Sequence, residues 1–372
     1  MEPRRPENSP SSRGSGSAIG AREGKKTMRR MIISVAILLV VLSGSAQAQT
    51  SDRAGSVGVM FLKLGMSPRA VAMGNTYMGV SDDITGIFLN PVSIVKLTGY
   101  EFFISEMQYL VDMRTIAGAF SFPMPATIGG RGAVSYTGFF SGSMKMTTAE
   151  DIDGILTDKD FNWNEFALGV TYARDFTDRF SIGLGAKYVR TDVADIYSST
   201  VAFDVGTIYR TGFRHLRLGM SATNFGPDMR FQGKYSITYI SGLWQVGVPV
   251  QYGYYALPIS LQVGIADDVY SSEGIRVTGA IDYSHPNDLA ERIHLGTELA
   301  YDEMFFLRGG FFMDMDKSAI EDPIDPSDAA LDRYTEFRFG VGFNISNLKL
   351  DYAWQDVEAL GSVHRFALGF RF

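Results

Sequence analysis

The chain closes on Val363-His364-Arg365-Phe366-Ala367-Leu368-Gly369-Phe370-Arg371-Phe372, and this stretch decides the fold. Phe366, Leu368, Phe370 and Phe372 alternate with Ala367, Gly369 and Arg371. Side chains on a strand point to opposite faces in turn, so the segment has one large apolar face and one small or charged face. The same period recurs upstream. Phe337, Phe339, Val341, Phe343 and Ile345 oppose Arg338, Gly340, Gly342 and Asn344. Phe180, Ile182, Leu184, Ala186 and Tyr188 oppose Ser181, Gly183, Gly185 and Lys187, and Phe166, Leu168, Val170 and Tyr172 oppose Ala167, Gly169, Thr171 and Ala173.

Extending the pattern gives fourteen candidate strands: 100–108, 112–122, 130–141, 161–174, 180–192, 197–211, 215–225, 257–268, 273–285, 292–301, 305–315, 334–345, 347–355 and 364–372. A soluble sandwich alternates in the same way. Two features favour a membrane. The greasy faces often run to four or five large residues, and the opposite faces hold Gly, Ala, Ser and isolated charges, as a barrel lumen does. Aromatic residues make up 13% of the chain, and Tyr172, Tyr188, Tyr209, Tyr283, Tyr301, Tyr352 and Trp354 fall near strand ends, where interfacial girdles form. Connections also differ in length, with tight turns at 175–179, 212–214 and 302–304 and long loops at 142–160, 226–256 and 316–333. The expected fold is all-β, a membrane-spanning antiparallel β-barrel of about fourteen strands over residues 99–372. An even strand count suits a bacterial single-chain barrel. The closing strand, with its terminal Phe, resembles the signal read by the outer-membrane insertion machinery, which makes that machinery and outer-membrane lipid expected partners.

Residues 1–48 read as a leader and signal peptide. Lys25, Lys26, Arg29 and Arg30 precede the apolar run Met31–Leu42, and Ser45-Ala46-Gln47-Ala48 offers small residues for cleavage near Ala48. An N-terminal anchor helix is the rival, but the apolar run is shorter than the roughly 20 residues a spanning helix needs. Removing the leader's eight basic and three acidic residues takes the formal charge from −7 to −12. So acidic a chain lacks the basic face that nucleic acid requires. With no cysteine there is no disulfide framework, thiol nucleophile or lipid-anchored Cys.

Residues 49–98 break the alternation and are expected to plug the barrel. Phe61-Leu62-Lys63-Leu64-Gly65, Arg69-Ala70-Val71-Ala72-Met73-Gly74, Asp82-Asp83 and Asn90-Pro91 follow one another in short runs bounded by glycine or turn residues. A lumen of this size is too wide for the wall's own side chains to fill. Arg69, Asp82, Asp83, Asn90 and Pro91 are therefore the candidate plug or hatch residues. Arg276, Asp282, His294, Glu298, Arg308, Arg338 and Asp351 fall on small-residue faces, from which they would pair with Arg69, Asp82 and Asp83.

These blocks resemble the opening of the PorV/PorQ-type outer-membrane proteins. Thr147-Thr148, Tyr209-Arg210-Thr211-Gly212, Asn224-Phe225-Gly226-Pro227 and the closing strand extend the likeness over nearly the whole mature chain. That family is related to the FadL-type transporters, fourteen-stranded barrels with an N-terminal hatch. The resemblance implies an accessory of type IX-like protein secretion, binding cargo or secretion partners. Loop 226–256, rich in Tyr, Trp and Val, would then dock the partner through Tyr235, Tyr239, Trp244, Tyr252 and Tyr254.

The alternative is passive passage of hydrophobic small molecules, with Phe61, Leu64, Met66, Met73 and Met78 around a pocket near the hatch or simply forming the plug's core. An enzyme is not expected. His215, His285, His294 and His364 are scattered, with no His-Glu-x-x-His pair and no Gly-x-Ser-x-Gly elbow. The acidic stretch 321–328 reads as a solvated loop ahead of a calcium site, and no cofactor or metal is expected.

Overall fold

A computed structural model describes residues 56–109, 113–146, 160–233, 236–241, 244–249, 251–315, 337–357 and 361–372, all within one compact unit. The leader with its cleavage point, Tyr235, Thr147-Thr148 and the acidic stretch 321–328 lie outside the described residues.

Ahead of the first strand come a 3-10 turn (Met60–Lys63), a short helix α1 (Pro68–Ala72) and two more 3-10 turns (Ile84–Phe88 and Pro91–Lys96). The wall opens with β1 (Glu101–Gln108), β2 (Arg114–Pro123), β3 (Arg131–Lys145), β4 (Asp160–Asp175), β5 (Phe180–Val193), β6 (Ile196–Arg210) and β7 (Arg217–Phe225). Four pieces follow outside the wall: β8 (Met229–Arg230), β9 (Ser236–Ser241), β10 (Trp244–Pro249) and β11 (Tyr254–Tyr255). The wall resumes with β12 (Ser260–Ser272), β13 (Ile275–Pro286), β14 (Arg292–Tyr301), β15 (Phe305–Asp314), β16 (Phe337–Ile345), β17 (Leu348–Asp356) and β18 (Ser362–Arg371). All fourteen wall strands pair antiparallel with their neighbours, β7 bonds to β12, and β1 bonds to β18, so the sheet closes into a barrel. Every strand expected from the alternation has its counterpart here.

Burial is inverted relative to a soluble protein. On β16 the large residues Phe337, Phe339, Val341, Phe343 and Ile345 are exposed, while Arg338, Gly340 and Gly342 are buried. On β1 the outward residues include Phe102 and Ile104, and the inward ones are Glu101, Phe103, Ser105 and Met107. A sandwich in water would hide the first set and expose the second. The outer wall is thus matched to hydrocarbon, and the strands are the membrane-crossing elements. Among the described residues no helix is long and apolar enough to cross a membrane.

Phe366, Leu368, Phe370 and Phe372 all lie on that outer face. Phe370 pairs with Phe102 and Leu368 with Ile104 across the closing seam. The backbone of Phe372 exchanges two hydrogen bonds with Tyr100, at 2.9 and 3.0 Å, and their rings stack at 6.2 Å.

The two ends of the barrel differ. One end carries only compact connections at 124–130, 176–179, 211–216, 273–274, 302–304 and 346–347. The other carries the long connections 146–159, 226–259 and 315–336. β8 to β11 occupy the second of these, as two separate two-stranded ribbons that the sequence pattern does not reveal.

Candidate functional site

The segment from residue 56 to residue 98 runs from the long-loop end to the short-turn end and packs on the inward faces of the wall. At its start, Val57 bridges to Ala256, and Gly58 N donates to the Ala256 carbonyl at 3.1 Å. Phe61 enters an apolar cluster with Phe139, Val189, Met229 and Leu257. Lys63 Nζ reaches Asp288 at 2.6 Å. At its end, Arg131 donates to the carbonyls of Leu97 and Gly99 at 2.9 and 2.6 Å.

Local chemistry explains the turns between. Ser67 caps α1 by accepting from Ala70 N at 3.1 Å, and Pro68 sits at the first helical position, where its missing N–H costs nothing. Asp83 caps the turn Ile84–Phe88 through Thr85 N, and Asn90 caps Pro91–Lys96 through Val92 N. Asn90 and Pro91 thus form a cap-plus-first-residue pair, and Asn90 Nδ2 also donates to the Thr207 carbonyl on β6 at 3.4 Å.

The candidate charges meet inside the wall, toward its short-turn end. Arg69 Nη1 contacts Asp82 and Asp83 at 2.6 and 2.7 Å, while its Nε and Nη2 grip Glu298 on β14 at 2.8 and 2.9 Å. Glu298 faces Arg308 across the β14–β15 ladder and binds its Nε at 2.8 Å. Gly342 on β16 has no side chain to obstruct the Arg308 guanidinium, which reaches over to Asp351 on β17 at 2.5 Å. Lys349 closes the chain, contacting Asp83 at 3.1 Å and Asp351 at 3.8 Å. Arg276 adds a 3.4 Å contact to Glu298 and pairs with Glu303. Glu298 is 0% exposed and Arg308 2% exposed, so neither charge is screened by bulk water.

Two of the other inward residues contact the segment backbone. Asp282 Oδ2 accepts from the N–H groups of Tyr77 and Met78 at 2.6 and 2.9 Å, and His294 Nδ1 lies 2.7 Å from the Gly74 carbonyl. Arg338 lies over the Phe312 ring at 5.0 Å. Sequence reasoning missed Lys349 as a partner. It shares the parity of Asp351 between outward Leu348 and Leu350, and that was the available signal.

Asp83 carries a pH prediction. Burial alone would raise its pKa, but Lys349, Arg69 and the Thr85 hydroxyl together hold it well below the ordinary carboxylate value. A depressed folded pKa means that its stabilisation is present above the unfolded value, near 4, and is lost as pH falls through the lower folded one. Hydrogen exchange across 67–90 should stay slow from pH 7 down to about 4 and quicken only below that. Loosening already at pH 5.5 would contradict this.

Between the segment and the wall of β3 to β6 lies a small cavity with about 40 Å³ of free space. One side is apolar, from Phe61, Leu64, Met66, Ile87 and Phe88; the other carries Ser135, Thr137, Thr171 and the Lys187–Asp204 pair at 2.9 Å. Met73 and Met78 do not line it. They are fully buried with Tyr77 and Val80 against Ala266 and Ala280. In the external connection, Tyr255 packs on Phe231 at 5.4 Å and against Gly58, and Tyr252 meets Phe231 at 5.9 Å. Tyr254 is 70% exposed beside Arg230, while Tyr239 and Trp244 fall on β9 and β10.

No protein-family model matches the sequence, and no curated protein resembles it in sequence, so the PorV/PorQ likeness gains no support from comparison. Solved structures do align. The monoaromatic hydrocarbon channel CymD matches with a TM-score of 0.55 at 13% identity, over 83% of this chain and 98% of its own. The Ralstonia pickettii toluene transporter TbuX gives 0.52 at 14%, with the same coverages. A Pseudomonas aeruginosa FadL homologue gives 0.50 at 13%, again over 83% and 98%. At such identities the likeness is one of fold: this chain is a fourteen-stranded barrel of the FadL-like kind.

Proposed function

We propose that the protein is a bacterial outer-membrane channel for passive passage of hydrophobic small molecules, with residues 56–98 as its hatch. The observation that carries this reading is the cavity between the segment and β3 to β6. It is apolar along the hatch and lies inside a membrane-spanning wall. Resemblance in fold to channels for toluene and other monoaromatic hydrocarbons supports it. The hatch held by ion pairs keeps ions and water from crossing freely, while an apolar solute would move between the apolar hatch face and the wall. Proteoliposomes holding the full chain should take up radiolabelled toluene or a long-chain fatty acid faster than protein-free vesicles. Equal rates for both probes would sink the reading.

A second reading, an accessory of type IX-like secretion, rests on the sequence resemblance and on Tyr254, which stands exposed next to the Arg230 guanidinium at 5.4 Å from its ring. Exposed Tyr and Arg are favoured contact residues at protein interfaces. Copurification of a secreted cargo or secretion component from native membranes tests it directly.

A further inference from the structure

The short-turn end of the barrel is not uniform in charge. The turns at 176–179 and 211–216 adjoin because β5 and β6 pair, with Phe180 opposite Tyr209 and Arg210 N donating to the Arg179 carbonyl at 2.8 Å. Together with the end of β4 they expose Arg174, Phe176, Arg179, Phe213, Arg214 and His215. The next turns around the rim beyond β7, at 273–274 and 302–304, carry Glu273, Asp302 and Glu303 instead.

The basic side is built. Thr177 Oγ1 accepts from the N–H groups of Arg179 and Phe180, at 3.3 and 3.0 Å, and Thr211 Oγ1 accepts from Phe213 N at 3.1 Å. The Arg179 guanidinium lies against the next turn, where a Cβ on Gly212 would sit 3.1 Å from its central carbon. Arg214 holds a left-handed φ of 49°, a conformation that favours Gly or Asn, yet the position carries a cation. Among the described residues no carboxylate lies within ion-pairing distance of Arg174, Arg179 or Arg214. Asp175 is occupied by Lys96 and Ser181, at 2.8 and 2.6 Å, which leaves Asp178 as the exposed acid on these turns.

Phe176, 73% exposed, and Phe213 stand beside these arginines, and Tyr172 and Tyr209 lie just within the apolar band. Aromatic side chains at that level mark the boundary between hydrocarbon and headgroups. The guanidinium groups therefore sit at the depth of lipid phosphate, with five-donor geometry suited to it. We infer that this pair of turns binds the phosphate of an anionic phospholipid in the leaflet at the short-turn end. The site depends on the membrane-spanning fold and is independent of what passes through the lumen.

The full chain, purified in detergent and titrated with phosphatidylglycerol or phosphatidylcholine, is read by native mass spectrometry. Phosphatidylglycerol should be retained in preference. R179Q/R214Q should weaken its retention by about 30-fold, roughly fivefold per arginine, and D178N should strengthen it. Heat-modifiable migration on gels verifies that each variant has closed its barrel. Equal retention of the two lipids by the unmodified chain, or undiminished retention by the double variant, would overturn the site. Displacement of the lipid by millimolar inorganic phosphate would instead make it a free-phosphate site and overturn the assignment to lipid.

Discussion

Glu298→Gln should leave the barrel closed and release the segment inside it. The substitution keeps the shape and removes the charge between Arg69, Arg308 and Arg276. Three cations would then crowd a site that water reaches poorly. Breaking a buried pair by removing one partner costs about 3–5 kcal/mol when the other charge is stranded. Here Arg69 keeps Asp82 and Asp83 and Arg308 keeps Asp351, which places the loss toward the lower figure. The wall loses only the side-chain contacts of Glu298 to Arg308 and Arg276. Its fourteen ladders are held by backbone bonds along every seam, and Glu298 contributes to them only through its main chain. Hydrogen exchange over 67–83 should accelerate by about two to three orders of magnitude while the strand amides stay protected, since each 1.4 kcal/mol is tenfold. Trypsin should also begin to cut at Arg69 in the folded protein. The exposed pair of Lys145 and Asp160, at 3.2 Å, supplies a control, because Lys145→Ala removes a contact worth little in water. Unchanged exchange in Glu298→Gln would mean that packing alone seats the segment.

Much of the wall could be read from the sequence, and the reason is local. A lipid-facing strand needs large apolar residues at every second position, so its signature fits within one segment. Phe337 to Ile345 shows it without help from any neighbour. The segment inside the barrel has no such code. Pro68 begins α1, a start that nothing in the alternation marks. Met73 and Met78 can be read from the sequence as pocket lining or as plug core, and in place they are core, turned toward β12 and β13. A five-residue helix is too short to display a period from which its faces could be assigned. In the same way β8 to β11 hide in an apolar stretch without clean alternation, and Tyr255 is absorbed by Gly58 and Phe231 rather than left for a partner. Arg69, Asp82 and Asp83 stood out because charges between apolar runs require partners. Which wall residues answer them depends on strand order and register, which only the closed barrel sets.

Two glycines on β5, one pleat apart and both facing inward, should respond to valine in opposite ways. At Gly183 a Cβ would collide with the backbone nitrogen of Val92 and the carbonyl carbon of Pro91. Backbone cannot rotate aside, so Gly183→Val must push the turn Pro91–Lys96 off the wall. The damage should spread to Asn90 and its hold on the Thr207 carbonyl, for an overpacking cost of about 1–3 kcal/mol. At Gly185 the nearest atoms are Asp204 Cβ and Oδ2 at 3.4 Å and Thr171 Oγ1 at 3.6 Å, an ordinary contact distance. The added methyls of Gly185→Val would extend into the cavity, where they narrow the space opposite Phe61 and Leu64. Gly183→Val should therefore loosen the segment and make the barrel leak ions in planar bilayers. Gly185→Val should leave ion leak and exchange unchanged and slow uptake of hydrophobic solutes several-fold. That contrast separates a cavity that conducts from a gap left by imperfect packing. If Gly185→Val carried solute as fast as the unmodified chain, the route would lie elsewhere in the lumen. If it leaked ions as Gly183→Val does, the cavity wall would be part of the seal.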